Sequence, residues 1–571
     1  MSRLAKVLGT AVLIGAVALM GLLKTAVAQD TGVKPVAAVA IGGVDRLMED
    51  AEYIGQLANN PQLGAMFKGL IAAQTGGAEG LPGVDAKRPA GVVVQTDGVN
   101  FQVYGMVPVT KLDDLLNLLS RFGMSAEKDG DVYAIHGPQQ TLFGMESNGW
   151  FVISMDRDAL SHAPSDAAVL EDLAGDYDLA VQVNLQNIPP MFRQLAVAMI
   201  QQGMQQGIQR QPGQSEEEFE VQKRMTVQSL AQIQDALNET EEFTVGISLD
   251  GSAGTLSLDF QMTVVPGSKA AKQLEANADL TTALAGFARE GDSIVIQAVG
   301  KYTPESVQLM KQQLEDYRSL IFASLKNNSD MNANERELVT NVVNEIFPQM
   351  AATMEKQGLD LAVSGNIAAE TLSIVGGLVV DDPTFLEDMV KDLVNKAKED
   401  NPKVGDLVKL DAETYKDVRF HVLQVPHAEI AKGSAEFGKF LQGRDLVFVI
   451  GVGEHAVYYA LGTDAVSDLK AALDASAEPQ PVTSPFRLHV ALKPVLQFAL
   501  AVTEDGPDKS QLQTFVDALS GGQDTIRVDS ALMENGSKAR IEIGEGVLKA
   551  FGLAIQQGMA GKGAGASPDE F

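Results

Sequence analysis

The sequence predicts an α+β protein of two tandem related domains, each a mainly antiparallel sheet covered by helices on one face. Three observations predict it. Apolar and polar residues alternate along paired segments, as in 243–249 and 256–264, which flank the turn residues Asp250-Gly251-Ser252-Ala253-Gly254. Strands therefore arrive in hairpins rather than singly between helices, which argues against a doubly wound parallel sheet. Four blocks then recur in the same order in the second half, the pattern of a duplication with its boundary near residue 290. The expected organisation is a leader over 1–28, a first domain over 29–290, a second domain that repeats it over 291–557, and a disordered tail over 558–571.

Taken in order, Arg3 and Lys6 precede an apolar run over 7–23, and Lys24-Thr25-Ala26-Val27-Ala28 ends in an Ala-x-Ala pattern before Gln29. This is the charged, apolar, small-residue order of a secretory signal peptide. The mature chain is expected to start at Gln29 in a periplasmic or extracellular space, with a retained anchor as the alternative because the run is near the short limit for a span. No other segment is long and apolar enough to cross a bilayer, so no transmembrane span is expected after cleavage.

A strand over 36–41 leads into helices over 44–58 and 63–73. Strands over 91–96 and 101–109 are joined by Asp97-Gly98, a hairpin signal. Thr110 is placed to cap a helix whose Leu112, Leu115, Leu116, Leu119 and Phe122 share a face, and Gly123 to end it. Strands follow over 132–136, 141–146 and 150–155, with Asn148-Gly149 as a turn, and a further strand covers 177–185. Helices over 191–208 and 219–237 lead to the hairpin described first. There Phe243, Val245, Ile247 and Leu249, with Leu256, Leu258, Phe260, Met262 and Val264, are expected to face the core.

The second half repeats this order: a strand over 293–299, helices over 304–325 and 335–356, strands over 359–366 and 371–380, and a helix over 383–397. Residues 101–107 resemble 372–378, and 150–160 resemble 456–466. Strands over 446–450 and 456–461 follow, the strand over 177–185 has its counterpart in 486–492, and a hairpin over 525–543 turns at Glu534-Asn535-Gly536-Ser537.

The chain is 45% hydrophobic and 21% charged, an ordinary globular composition with length for two or more cores. Three of its 44 basic residues lie in the expected leader, which leaves 41 against 75 acidic ones, a net of −34. A surface that acidic repels phosphate backbones, so no nucleic-acid partner is expected. There is no cysteine, which removes disulfides, thiol nucleophiles and thiolate metal sites.

Catalytic patterns fail on context. Gly451-Val452-Gly453-Glu454-His455-Ala456 fits the dinucleotide fingerprint, but a strand rather than a helix is expected after it. Ser467-Asp468-Leu469-Lys470 has the Ser-x-x-Lys spacing of penicillin-recognising enzymes without a Lys-Thr-Gly partner. The six histidines have no spacing that demands convergence on a metal. His421 and His489 alternate with apolar neighbours and are expected on the solvated side of their strands. Asp381-Asp382 and Glu387-Asp388 suit helix capping better than calcium, because no EF-hand loop accompanies them. No cofactor, metal or catalytic residue is assigned.

One helix has a composition suited to binding. Met191, Phe192, Leu195, Met199 and Ile200 form its apolar stripe, and glutamine dominates the opposite side. A flexible methionine-rich face adapts to varied apolar surfaces. Met191, Phe192, Leu195 and Met199 are the candidate ligand-binding residues, with core packing as their alternative use.

The segment Arg88-Pro89-Ala90-Gly91-Val92-Val93-Val94 and the block Tyr177-Asp178-Leu179-Ala180-Val181-Gln182-Val183-Asn184, with the strand-helix-helix opening, resemble uncharacterised exported proteins of planctomycete-type bacteria. The resemblance covers mainly the first half and implies export from a bacterium; it carries no catalytic residues. The functional expectation is a non-enzymatic exported protein with a binding or envelope-associated structural role, holding a hydrophobic or lipid ligand between sheet and helices or meeting an envelope protein. The alternatives are a secreted carboxylate-based hydrolase and a subunit of a larger assembly.

Overall fold

The computed structural model describes residues 33–57, 65–66, 68–69, 72 and 80–553, except 139, 165–166, 211–213, 328–330, 357 and 401–403. The expected leader and tail lie outside these residues, as does most of the helix expected over 63–73. The chain divides into two compact units. Of the described residues, those up to Ala196, those over Thr240–Thr263 and those from Leu548 on make the first, and those within Val197–Glu239 and Val264–Val547 the second.

The first unit is built on β1 (Lys34–Ile41), β2 (Ala90–Thr96), β3 (Phe101–Pro108), β4 (Ser125–Asp129), β5 (Val132–His136), β6 (Thr141–Ser147), β7 (Trp150–Ser154), β8 (Leu179–Asn184), β9 (Thr240–Asp250) and β10 (Thr255–Val264). They form one sheet in the order β10-β9-β8-β1-β2-β3-β7-β6-β5-β4, antiparallel from β9 to β4. The Asp97-Gly98 and Asn148-Gly149 turns sit where the sequence places them, with Gly98 and Gly149 at positive φ.

The two larger of its buried clusters are built by helices on this sheet. Helix Leu112–Arg121 buries Leu112, Leu115 and Leu119 against Ile135, Phe151 and Ile153. Each such leucine contributes about 2 kcal/mol of transfer free energy. Leu118 is buried on this helix and Phe122 is 44% exposed. The helix ends at Arg121, so Phe122 leaves the expected face. The second cluster packs Leu170 and Leu173 of helix Ala168–Asp176, with Tyr177, over the small residues Ala38, Ala40 and Ala180.

The hairpin β9–β10 turns the opposite face inward from the one its apolar residues predict. Thr244, Gly246, Ser257 and Asp259 are buried, while Phe243 and Ile247 are each 37% exposed. What covers the hairpin explains it. The Tyr177 ring lies on Gly246, where a Cβ would stand 2.2 Å from Cδ1. Its hydroxyl donates to Asp259 at 3.2 Å and accepts from Gln261 Nε2 at 2.6 Å, so the polar side is satisfied in the interior.

The second unit contains β11 (Thr281–Thr282), β12 (Ile294–Gly300), β13 (Leu359–Ala368), β14 (Thr371–Val379), β15 (Val408–Tyr415), β16 (Val418–Val425), β17 (Leu446–Val452), β18 (Ala456–Gly462), β19 (Gln480–Pro481), β20 (Phe486–Ala491), β21 (Thr525–Met533) and β22 (Gly536–Gly544). The order of its main sheet is β22-β21-β20-β12-β13-β14-β18-β17-β16-β15, antiparallel throughout. β11 and β19 form a separate short ribbon. Strand for strand, this is the connectivity of the first sheet. The core packs Leu469 and Leu473 of helix Ala465–Ala475, with Leu284 and Phe287, against Phe420, Val449 and Ala460.

Candidate functional site

Gln297 on β12, Arg487 on β20 and Asp529 on β21 are direct partners across neighbouring strands of the second unit. Directly opposed residues share a face, so these three make a polar row on the sheet. They line a cavity of about 550 Å³, within the size range of small-molecule sites. Its other walls come from the segment around Gly286, the small residues Ala471, Ala472 and Ala475 of one helix, and the extended stretch from Gln480 to Ser484.

The row is incompletely satisfied. Arg487 Nη2 donates to Gln297 Oε1 at 2.9 Å, but its buried Nε has no hydrogen-bond partner. The Asp529 carboxylate takes part in no hydrogen bond or ion pair among the described residues, with Arg487 or otherwise; only the backbone of Asp529 is paired, in the strand ladder. Arg289 on the same wall is engaged, donating from Nε to Asp292 at 2.8 Å and to Ser364 Oγ at 3.2 Å. A buried donor left unmade costs about 1–3 kcal/mol; the groups of this row left open to a ligand are Nη1 of Arg487 and the Asp529 carboxylate.

The first unit shows what the same sheet positions look like when filled. Gly105 on β3 and Gly376 on β14 occupy matching places in the blocks that resemble each other, and their partners Ile153 and Tyr459 match as well. Followed across the sheet by register, Gln297, Arg487 and Asp529 correspond to Ala40, Ala180 and Gly246. There Leu170 and Tyr177 close the space. The connections over 155–178 and 463–485 are nearly equal in length but place their helices differently. In the first unit, helix Ala168–Asp176 abuts β8 and delivers Tyr177 onto the sheet. In the second, helix Ala465–Ala475 comes first, and an extended stretch leads to β20.

A second cluster joins helix Thr384–Asp400 to β15 and β16. Glu387 is buried and accepts from Arg419 through both oxygens, and from Lys391 at 2.7 Å. The Arg419 guanidinium is the main reason its carboxyl is held down at about 2, against an ordinary 4.5. His421 is only 3% exposed, a correction to its expected solvated position. The fold packs helix Thr384–Asp400 over the polar side of β16. His421 Nδ1 accepts the Asp411 backbone N–H at 3.1 Å, so in the neutral ring the proton sits on Nε2, 3.5 Å from Glu387 Oε1. Burial is the main cause lowering its pKa.

Glu387, Asp411 and His421 have their ligand atoms close enough together to hold a metal. The chemistry of the set opposes it. The ring nitrogen facing the group carries the proton and has no lone pair to give. Lys391 and Arg419 already neutralise the carboxylates, Lys391 reaching Asp411 at 3.2 Å. The cluster is an internal ion-pair network.

A third acidic group lies in the first unit. Asp178 accepts the Leu249 N–H at 2.5 Å and pairs with Arg46, which also donates to the Ala174 carbonyl at 2.8 Å. Burial first, then the nearby Asp178 charge, push Asp50 up to about 6. Asp178 ties helix Val44–Leu57 to β9 and to the end of helix Ala168–Asp176.

The residues singled out from the sequence fall elsewhere. On helix Pro190–Gly207, Met191, Leu195 and Met199 are 63%, 55% and 65% exposed. Phe192 is half-buried, its ring 4.8 Å from that of Phe101. The glycine motif is a hairpin between β17 and β18, closed by Gly453 N–H donating to Ala456 O at 2.9 Å. Ser467 Oγ donates to the Asp464 carbonyl, and Lys470 pairs with Glu413, so neither serves the other. Among the described residues no helix is long and apolar enough to cross a membrane. Comparison with known protein families, curated proteins and solved structures finds no match.

Proposed function

We propose that this chain is an exported, non-enzymatic binding protein whose two units arose by duplication, the second having opened a ligand cavity where the first is packed shut. The observation that carries the reading is the exchange of Ala40, Ala180 and Gly246 for Gln297, Arg487 and Asp529 at matching sheet positions, with a cavity of about 550 Å³ over the polar set. The shared strand order supports the duplication, and the charged, apolar, small-residue order of the first 28 positions supports export. Binding is favoured over catalysis because the carboxyl groups with the most altered proton affinity, Glu387 and Asp50, do not line the cavity.

The test is native mass spectrometry on the full chain purified gently from its own compartment, beside an Ala471→Trp variant that puts an indole at the cavity wall. A mass excess that is lost on denaturation and absent from the variant is the expected result. An excess carried equally by both proteins places the ligand elsewhere, and a bare mass for the wild type removes the support for a carried ligand.

A further inference from the structure

We infer that the cavity of the second unit recognises the zwitterionic head of a free α-amino acid, its carboxylate at Arg487 and its ammonium at Asp529. This rests on the reading of the cavity as a binding site. Arg487 and Asp529 face each other in register on adjacent strands, whose backbones lie about 4.8 Å apart. A guanidinium and a carboxylate so placed would ordinarily pair, yet here each keeps capacity for another partner. Nη2 of Arg487 is spent on Gln297, Nη1 makes no hydrogen bond among the described residues, and the Asp529 carboxylate accepts none there.

A ligand that satisfies both must present an anion and a cation a few ångströms apart. An α-amino acid carries them on one carbon. A simple anion would supply nothing to the Asp529 carboxylate, which stands between Arg487 and Arg540 across the sheet. A neutral sugar meets no ring to stack on, because none of the residues around the cavity is aromatic. Gln297 holds one end of the guanidinium, which orients the fork for a carboxylate.

The remaining space determines which side chain is admitted. Part of the wall beyond the polar row is small, contributed by Ala285, Gly286, Ala288 and Ala472. A cavity of about 550 Å³ exceeds what an amino-acid head group needs, so large side chains fit. Arg289 and Glu290 on the same wall give it charge of both signs.

The experiment is isothermal titration of the full-length protein, freed of carried ligand by unfolding and refolding, with the twenty amino acids singly. The best binder is then compared with its methyl ester and its N-acetyl derivative. The expected result is saturable binding that weakens at least tenfold for each derivative, and at least tenfold in Arg487→Met and Asp529→Asn. The derivatives act on the unaltered protein, so the result stands even where a variant folds poorly.

Three outcomes overturn the inference in distinguishable ways. Binding that survives N-acetylation and Asp529→Asn but fails in Arg487→Met means a simple anion is the ligand, and the cavity remains the site. Absence of amino-acid binding, with a carried mass that Ala471→Trp removes, assigns the cavity to another class. Absence of both removes the binding reading itself.

Discussion

At the residue scale, two carboxyl groups set opposing pH dependences. Glu387 titrates at about 2 in the folded protein against an ordinary 4.5. Its contribution is therefore complete above about pH 4.5 and is lost as pH falls towards 2. Glu387→Gln should cost about 2 kcal/mol at pH 7, below the range for a fully buried pair because Arg419 and Lys391 are 44% and 31% exposed. Chemical denaturation across pH would also show a shallower acid limb in this variant. Asp50 has the opposite sign. Its proton is held up to about 6 against 3.8, so the folded state is favoured below pH 3.8 and loses that advantage as pH rises through 6. Asp50→Asn should add about 1 kcal/mol at pH 7, a figure reduced for solvent screening, and flatten stability between pH 4 and 6. A variant less stable than wild type at pH 7 would show that Asp50 is needed in its charged form.

At the scale of elements, what the sequence revealed and what it hid follow from turn chemistry and burial. Hairpins closed by Asp97-Gly98 and Asn148-Gly149 were legible because such pairs supply positive φ cheaply. The hairpin β15–β16 was not, because its turn residues are Lys416 and Asp417, at φ 48° and 61°. β4 was missed because all five of its residues are exposed and all but Ala126 are polar, so no alternation marks it. The alternation of β9 and β10 was legible, but not which face is covered; that depends on Tyr177, more than sixty residues away. The cavity row was hidden for the same reason, since Gln297, Arg487 and Asp529 lie on three strands whose mutual register no local pattern shows. Aligning the two halves through to their last hairpins would have set them against Ala40, Ala180 and Gly246. The strained turn makes a prediction. Asp417→Gly removes the steric cost of a left-handed side-chain residue and should stabilise by about 1 kcal/mol, read as a higher urea midpoint with an unchanged slope. A lower midpoint would mean that the Asp417 side chain contributes more than its backbone costs.

At the scale of the molecule, each unit has its own core, one centred on Tyr104, Trp150 and Leu170, the other on Phe287, Phe420 and Leu469. Each has enough chain to fold cooperatively. The expected consequence is two calorimetric transitions, or one broad one whose measured enthalpy is about twice the van't Hoff value. The residue changes assign them. Glu387→Gln acts in the second unit and should lower only one transition at pH 7, and Asp50→Asn acts in the first and should raise only the other. An amino acid bound in the second unit should raise the transition that Glu387→Gln lowers, because a ligand stabilises the state that holds it. A single transition with equal enthalpies, shifted together by both variants, would mean that the units unfold as one cooperative block.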